Sequence, residues 1–369
     1  MIKKLIFSVL VLHISAVLGN GICNDCMVYT KCKAAFDHAT LKRDRETMQM
    51  FSTAFCGMGY ENGERIHKVC CSYFPSLNTR PSLIDSRSGI SKDYLLPETC
   101  GSILGNRIFG GKYAKLYEFP WMALISYNKK DGPRFECSGT IINSKYILTA
   151  AHCVVNKNIL GVRMGEFDVS SDEDCEYEPG LSPVCERHIQ DMSVEMAIPH
   201  SEYRQVPPTN DIALLRMEGE IEFSHSNVEP ICLPITPELQ NTVLDFKTGT
   251  VAGWGVTETG TEASKLMKVD FPIKSNSDCK MYFRNMLNQR FNESMKTMKN
   301  QFCGGEFGKD SCSGDSGGPF MIKGIYNDVS RYVQYGVVSH GPKRCGSDTP
   351  GFYTDVTKYV NWILDNIKD

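Results

Sequence analysis

The chain has 369 residues and a formal net charge of −3, from 40 Lys and Arg against 43 Asp and Glu. This balance excludes the strongly basic surface of a dedicated nucleic-acid-binding protein. The composition, 41% hydrophobic and 22% charged, is that of a folded chain and excludes disorder throughout. At this length we expect about two domains.

Residues 1–19 have the pattern of a signal peptide. Two lysines precede a largely apolar run over residues 5–18, and Gly19 suits cleavage before Asn20. Because the run is short and its flanks differ from those of a membrane span, an uncleaved anchor is the less favoured alternative. We therefore expect a secreted, extracellular protein without membrane association, in which the 16 cysteines form disulfides.

Six cysteines predict a small disulfide-stabilised domain over residues 20–74: Cys23, Cys26, Cys32, Cys56, Cys70 and Cys71. A domain of this size has little core, so three disulfides of about 2–4 kcal/mol each would stabilise it. The spacing alone does not choose among the possible pairings. Residues 75–107 lack periodicity and begin with a stretch rich in Ser, Pro, Asn, Arg and Asp, which is the composition of a linker.

Short apolar runs separated by Gly, Pro and Asn turns predict an all-β domain over residues 108–369. They lie at residues 121–127, 140–142, 146–149, 212–215 and 335–339. Many short strands at this spacing favour a sandwich or a barrel over alternating strands and helices. Residues 356–367 have the pattern of an amphipathic helix.

Three segments of this domain carry residues suited to nucleophilic catalysis: Leu148–Cys153, Asn210–Leu215 and Asp310–Pro319. A serine hydroxyl needs a base to take its proton, and the base needs a third group to fix its tautomer. Taken singly, a packed histidine, a capping aspartate and a glycine-rich turn have ordinary structural roles. Their order, His before Asp before Ser, in a β-rich secreted chain is specific for one catalytic arrangement.

On these motifs, residues 108–369 resemble the trypsin-like serine proteases of the chymotrypsin family. The resemblance implies a chymotrypsin-like double β-barrel with a C-terminal helix. It implies that His152 is the general base, Asp211 its orienting carboxylate and Ser316 the nucleophile. The N–H groups of Gly314 and Ser316 would form the oxyanion hole, and catalysis would need no cofactor.

The resemblance also implies a pocket for basic side chains. Asp310, six residues before the nucleophile, would lie at its base and pair with a substrate Arg or Lys; the alternative is a surface aspartate without a role. Gly341 and Gly351 would keep the pocket open. His340 departs from the family, because trypsins usually carry Trp there; we expect it to alter subsite preference, and it leaves the assignment of the catalytic residues unchanged.

The sequence Asn106-Arg-Ile-Phe-Gly-Gly111 resembles the zymogen activation site of the family, with Phe109 where Val is commonest. Cleavage after Arg107 would free the amino group of Ile108. That ammonium would then pair with Asp315 and order the oxyanion loop. The alternative is a chance Arg-Ile pair in a loop.

The cysteine-rich domain resembles the clip domain, a regulatory unit that precedes arthropod proteases, on its Cys26-x5-Cys32 spacing and its Cys70-Cys71 doublet. Cys175–Cys185 would close an insert typical of clip proteases in insect Toll and melanisation cascades. Cys100–Cys232 would tether the clip domain after activation. The family pairing as a whole implies Cys23–Cys70, Cys26–Cys56, Cys32–Cys71, Cys100–Cys232, Cys137–Cys153, Cys175–Cys185, Cys279–Cys303 and Cys312–Cys345.

Residues 165–174, here called the acidic loop, resemble the calcium loop of the family. Glu166 and Asp174 would supply carboxylates, and Asp168 and Ser171 backbone carbonyls. The alternative is an acidic, solvated loop. Asn292 begins an N-glycosylation sequon.

The sequence thus predicts a secreted, haemolymph-like clip-domain serine endopeptidase zymogen that cuts after Arg or Lys in a cascade of innate immunity or development. Expected partners are an upstream trypsin-like activating protease, a serpin inhibitor, and a protein substrate such as another clip zymogen, a Toll-ligand precursor or prophenoloxidase. Three alternatives are an inactive homologue that acts as a binding cofactor, a digestive trypsin, and a zinc protein. The intact catalytic motifs argue against an inactive homologue, and the tethered disulfide module argues against a digestive trypsin. The sequence lacks the paired CxxC motifs of a zinc protein.

Overall fold

The computed structural model describes residues 23, 25–29, 31–32, 35, 51, 53–61, 64–73, 92–103, 113–177, 180, 182–256, 260–286, 300–306, 314–342 and 348–369. The chain divides into an N-terminal unit, residues 1–81, and a C-terminal unit, residues 82–369. The division falls within the stretch that the sequence predicts to be a linker. Within the described ranges, no helix has the length and apolar character needed to cross a membrane.

The N-terminal unit contains a three-stranded antiparallel sheet in the order β1-β3-β2, formed by β1 (Cys26–Val28), β2 (Phe55–Glu61) and β3 (Glu64–Cys70). Among the described residues of this unit, one buried cluster comprises Cys32, Ala35, Ala54 and Val69. Three disulfides hold the unit together: Cys23–Cys70, Cys26–Cys56 and Cys32–Cys71. In a domain as short as residues 20–74, cross-links of this kind supply much of the stability.

Two antiparallel sheets make up most of the C-terminal unit. The first has the order β10-β7-β4-β5-β6-β14-β11 and consists of β4 (Met122–Lys129), β5 (Gly132–Ile141), β6 (Tyr146–Thr149), β7 (Ile159–Met164), β10 (Gln190–Met192), β11 (Val194–Pro199) and β14 (Ala213–Met217). The second has the order β16-β15-β18-β19-β20-β17 and consists of β15 (Thr248–Gly253), β16 (Met267–Pro272), β17 (Gln301–Gly304), β18 (Pro319–Tyr326), β19 (Val329–His340) and β20 (Gly351–Asp355).

The remaining regular elements are short. Two hairpins pair β8 (Asp174–Glu176) with β9 (Val184–Glu186), and β12 (Arg204–Gln205) with β13 (Pro208–Thr209). In the part of the chain that the structure describes, helices with defined bounds are α1 (Pro237–Gln240), α2 (Asn276–Met286) and α3 (Val360–Asn366). In the same part, 3₁₀ turns lie at Cys71–Tyr73, Asp93–Leu95, Ala151–Cys153 and Val356–Lys358. The predicted all-β double barrel with a C-terminal helix is confirmed.

Apolar burial explains why each sheet closes on itself. Large side chains in and beside the first sheet are almost fully buried in the main core, among them Tyr127, Tyr146 and Trp121, which immediately precedes β4. The second sheet buries a cluster of stacked rings, in which Phe320 and Tyr353 have centroids 5.2 Å apart. Side chains of this size bury a large apolar area each, so they contribute strongly to the stability of the two cores.

Part of the predicted linker belongs to the C-terminal unit. Leu96 is buried in its core, and Cys100 is bonded to Cys232. The backbone of Gly101 extends this attachment, since its N–H donates to Pro230 O and its carbonyl accepts from Tyr332 N–H, each at 2.8 Å. Residues 92–103 are therefore packed on the C-terminal unit, and the composition that suggests a free linker describes only the part before them.

Candidate active site

His152 and Asp211 lie at the ends of neighbouring strands of the first sheet. His152 sits in the 3₁₀ turn that follows β6, and Asp211 comes just before β14, the strand that pairs with β6. Asp211 Oδ2 accepts from His152 Nδ1 at 2.8 Å, and Asp211 Oδ1 accepts from the backbone N–H of His152 at 2.9 Å. The carboxylate therefore fixes both the ring and the backbone of the histidine.

The surroundings of Asp211 keep it ionised although only 2% of its surface is exposed. Burial opposes ionisation, but hydrogen bonds from His152 and Ser339 outweigh it and hold the pKa of Asp211 below its usual range. Because an ionised carboxylate only accepts hydrogen bonds, the hydrogen on the His152 ring lies on Nδ1. His152 Nε2 is then free to act as a base.

Two residues of the second sheet complete the environment of Asp211. Ser339, near the end of β19, donates its hydroxyl to Asp211 Oδ2 at 2.6 Å, and Thr354 of β20 donates to the backbone carbonyl of Asp211 at 2.8 Å. Sequence reasoning missed both. The available signal was a hydroxyl residue closing an otherwise apolar strand run at residues 335–339, but which carboxylate it meets depends on how the two barrels pack.

Ser316 lies beside the turn that carries His152. Its carbonyl accepts from Ser138 N–H on β5 at 2.8 Å. The next residue, Gly317, has a φ of 80° and is packed so closely against Thr149, at the end of β6, that a Cβ would collide with its hydroxyl. The backbone of the second barrel therefore brings Ser316 to the same strand ends that position His152.

Gly314, predicted to donate to an oxyanion, has a φ of 100°, which disfavours any residue other than glycine. A Cβ here would lie 2.9 Å from Gly255 Cα. Asp315 follows, and its Oδ1 accepts from Gly255 N–H at 2.9 Å. The turn that carries Ser316 is thus held against the loop after β15.

The other predicted site residues divide into two groups. Gly341 and Gly351 are brought together, since a Cβ on Gly341 would lie 3.6 Å from Gly351 Cα. Asp310, Arg107, Ile108, Asn292, Cys312 and Cys345 lie outside the described residues. The seven disulfides among the described cysteines join the same pairs that the clip-protease resemblance implies.

The acidic loop lies on the first barrel, and its two predicted carboxylate ligands are buried. Glu166 and Asp174 are 6% and 4% exposed. Glu166 Oε1 and Asp174 Oδ2 both accept from the backbone N–H of Phe167, at 3.0 and 2.9 Å, so two carboxylate oxygens converge on one amide. This differs from a solvated acidic surface.

Charge compensation in this loop is incomplete. Burial raises the pKa of Glu166, and the charge of Asp174 raises it further, although Arg163 lies 3.3 Å away and opposes the shift. Burial also raises the pKa of Asp174. The side chain of Asp168 bonds instead to Ser170, and its backbone carbonyl, which accepts from Ser171 N–H at 2.9 Å, can offer its second lone pair. Converging, buried oxygen donors with raised pKa values fit a hard cation such as calcium.

Other clusters of metal-ligating residues do not fit a zinc site. Among the described residues, each such cluster contains cysteines that are already in disulfides: Cys23, Cys56 and Cys70; Cys137 and Cys153 with His152; and Cys175 and Cys185 with Glu173. Zinc binds the thiolate, which a disulfide sulfur does not provide.

The chain is similar to known proteins over most of its length. The family model for trypsin matches residues 108–363. Serine protease ea of Drosophila melanogaster is 36% identical over 360 residues, which cover 93% of this chain and 88% of the relative. Melanization protease 1 of the same species is 36% identical over 342 residues, covering 84% and 82%. The crystal structure of the Drosophila Grass clip serine protease of the Toll pathway matches with a TM-score of 0.64 at 31% identity, covering 92% of this chain and 93% of that one.

Proposed function

The chain belongs to the clip-domain serine proteases of the trypsin family, and from this premise we propose that it is an active serine endopeptidase that cuts proteins after Arg or Lys. One observation carries the proposal above the others. Buried Asp211 holds both the ring and the backbone of His152, at 2.8 and 2.9 Å. A homologue that only binds partners has no need of this arrangement.

The proposed mechanism assigns one task to each residue. His152 Nε2 takes the hydroxyl proton of Ser316 as Ser316 Oγ attacks the substrate carbonyl carbon. The N–H groups of Gly314 and Ser316 stabilise the negative oxygen of the tetrahedral intermediate, each donor being worth roughly 10²–10³ in rate. Protonated His152 then gives the proton to the leaving amine. In the second half of the reaction water attacks the acyl group, His152 takes the proton of that water, and the proton returns to Ser316 Oγ as the acid product leaves.

Specificity is assigned to the pocket that the sequence predicts. Asp310 would pair with the cationic end of a substrate Arg or Lys, because a buried carboxylate needs such a partner. The closeness of Gly341 and Gly351 supports an open pocket wall, since neither residue has a side chain to fill the space.

Latency is proposed to depend on cleavage after Arg107. The new ammonium of Ile108 would pair with Asp315, whose neighbours Gly253 and Gly255 are so close that a Cβ on either would collide with its carboxylate. Because Asp315 is packed this closely, a small movement of Asp315 on pairing would also move the adjacent Gly314. The close packing therefore supports the proposal that the ion pair sets the geometry of Gly314. The Cys100–Cys232 bridge would keep the clip domain attached after the cut.

Secretion and a cascade role complete the proposal. Disulfides at this density are typical of oxidising, extracellular compartments, where Asn292 would carry a glycan. Relatives named for melanisation and for the Toll pathway support a place in an extracellular proteolytic cascade. Proposed partners are an upstream trypsin-like activator, a serpin inhibitor, and another clip zymogen, a Toll-ligand precursor or prophenoloxidase as substrate.

The test uses the secreted chain cut after Arg107 and a set of peptides that differ in the residue before the scissile bond. We expect cleavage of arginyl and lysyl peptides, none of phenylalanyl ones, and none at all by the cut Ser316→Ala variant. Asp310→Ser should lose most of the basic preference while still forming a stable fold. If the unmutated chain is cut after Arg107 and folded but cleaves none of the peptides, the protein is instead an inactive homologue that acts as a binding cofactor.

Calcium is proposed as a structural ion of the acidic loop and has no part in the reaction. Glu166 and Asp174 would hold it with their carboxylates, and Asp168 and Ser171 with their carbonyls. When bound, the ion would offset the repulsion between the two buried carboxylates.

A further inference from the structure

His340, which departs from the trypsin pattern, is half-buried and packs against two aromatic rings. It stacks on Phe352 of β20, with centroids 4.9 Å and planes 4° apart, and meets Phe283 of α2 edge-on at 6.0 Å. Its Nδ1 lies 3.0 Å from Ser339 Oγ. Its Nε2 is buried and has no hydrogen-bond partner among the described residues.

The hydrogen positions in this cluster follow from a count of donors and acceptors. Ionised Asp211 only accepts, so the hydroxyl hydrogen of Ser339 points to Asp211 Oδ2, 2.6 Å away. Ser339 Oγ can then only accept from His340, which places a hydrogen on His340 Nδ1. Burial lowers the pKa of His340 to about 4, so the ring is neutral and its unpaired Nε2 carries no hydrogen. An unpaired buried acceptor is tolerated better than an unpaired buried N–H.

We propose that His340 is a positioning residue for the Asp211–His152 pair and acts on it through Ser339. Its Nδ1–H occupies the acceptor site of the Ser339 hydroxyl and thereby directs the hydroxyl hydrogen to Asp211 Oδ2. That same oxygen accepts from His152 Nδ1. Hydrogen bonds in a chain polarise one another, so the three bonds together hold Asp211 in the orientation that leaves His152 Nε2 free. This proposal rests on the proposed protease function.

Two variants of His340 separate the hydrogen-bond donor from the ring. His340→Phe keeps an aromatic ring against Phe352 and removes the donor. His340→Asn removes the ring and places an amide N–H near the position of Nδ1. Phe283→Leu is the matched control, because it disturbs packing against His340 and leaves the donor in place. The substrate is an ester of arginine with no further residues, so that contacts with the rest of a peptide substrate do not contribute.

We expect His340→Phe to lower kcat about threefold to tenfold, the range for one neutral hydrogen bond, with KM unchanged. His340→Asn should recover most of that loss, and Phe283→Leu should match the parent. A kcat for His340→Phe equal to that of the parent, or a loss of the same size in Phe283→Leu, would overturn the proposal.

A double-mutant cycle tests the route through Ser339. If His340 acts only through that hydroxyl, His340→Phe has no further effect on kcat in a Ser339→Ala background, whereas additive losses would contradict the proposal. The proton NMR resonance of the hydrogen on His152 Nδ1 should move in His340→Phe and not in Phe283→Leu. The NMR measurement does not require enzyme activity. If the unmutated protein is inactive, the proposed function fails, but the resonance still tests whether His340 acts on the Asp211–His152 pair.

Discussion

The first barrel of the protease domain buries carboxylates in two places, and the two differ in how their charge is compensated. Asp211 receives hydrogen bonds from His152 and Ser339, and its pKa is lowered despite burial. Glu166 and Asp174 share the backbone N–H of Phe167. Glu166 also pairs with Arg163, and Asp174 also accepts from the backbone N–H of Asp168, yet the pKa of each is raised, chiefly by burial. A buried charge that is fully paired can serve in a reaction, whereas one that is only partly paired favours protonation or a cation.

The largest expected effect comes from removing the charge at the paired site. Asp211→Asn should lower kcat about 10⁴-fold, because an amide at this position stabilises the wrong tautomer of His152. The measurement is single-turnover hydrolysis of an arginyl ester. Asp355→Asn is the control: Asp355 is also a buried carboxylate, but it caps the 3₁₀ turn before α3 through Thr357. It should lower Tm and leave kcat unchanged. If Asp211→Asn and Asp355→Asn lose equal amounts of kcat, Asp211 has no catalytic role distinct from that of a structural buried carboxylate.

The acidic loop should respond to calcium where the paired site does not. At a calcium concentration about a hundredfold above Kd, binding stabilises the folded state by about 2.7 kcal/mol. For a domain of this size that raises Tm by roughly 5–10 °C relative to chelator. Glu166→Gln should abolish this rise in Tm. Calcium should also slow proteolytic nicking between Phe167 and Cys185 in the unmutated protein, and should not slow it in Glu166→Gln. A parent that melts identically with calcium and with chelator would show an acidic loop without an ion.

The pH dependence of stability should have opposite signs at the two sites. Asp211, whose pKa is lowered, stabilises the folded state at neutral pH, and this contribution is lost as pH falls through its folded pKa. Glu166, whose pKa is raised, contributes stability at acidic pH that is lost as pH rises past the ordinary carboxyl pKa.

The two signs can be read from melting curves of calcium-free protein in a Ser316→Ala background, where autolysis cannot interfere. Glu166→Gln should melt above its parent at neutral pH, and Asp211→Asn below it. The first difference should shrink as pH falls toward the ordinary carboxyl pKa of about 4, and the second only as pH falls further, toward the lowered pKa of folded Asp211. Arg163 remains paired with Asp191 in the first variant, through two bonds of 2.8 Å. Parallel pH profiles for the two variants would contradict the comparison.

The smallest effect is expected from Asp168→Asn. The side chain of Asp168 bonds to Ser170 and lies 3.7 Å from Lys265, and only its carbonyl is assigned to the ion. The variant should therefore keep the calcium-induced rise in Tm and lose about 1 kcal/mol or less of stability at all calcium concentrations. A variant that loses the calcium response would place the side chain of Asp168 in the ion site.

The strand pattern predicted an all-β sandwich or barrel. The resemblance to the chymotrypsin family, carried by the local motifs around His152, Asp211 and Ser316, implied the double barrel and the role of each residue. The sequence did not predict the contacts of Ser339 and Thr354 with Asp211, which form only when the second sheet packs on the first. The same holds for Leu96 and its neighbours, whose composition resembles a linker although they are buried against the barrels.

The acidic loop shows a second kind of limit. Residue types suggested oxygen ligands, but the convergence of Glu166 and Asp174 on the N–H of Phe167 depends on the backbone path of the loop. The disulfides likewise could not be paired from spacing alone, and the pairs came from the resemblance to clip proteases. Roles that depend on tertiary contacts, such as that of His340, had no signal in the sequence beyond an unusual residue.

The most direct test of the central claim is covalent labelling of the chain with a serine-reactive fluorophosphonate. Only a serine activated by a neighbouring base reacts rapidly with such a reagent. The account predicts one adduct per chain, located by mass spectrometry on Ser316, in protein cut after Arg107, and no adduct in uncut Arg107→Gln or in cut Asp211→Asn. An unlabelled Ser316 in folded protein that begins at Ile108, or equal labelling of the uncut chain, would contradict the proposal that cleavage creates a serine protease.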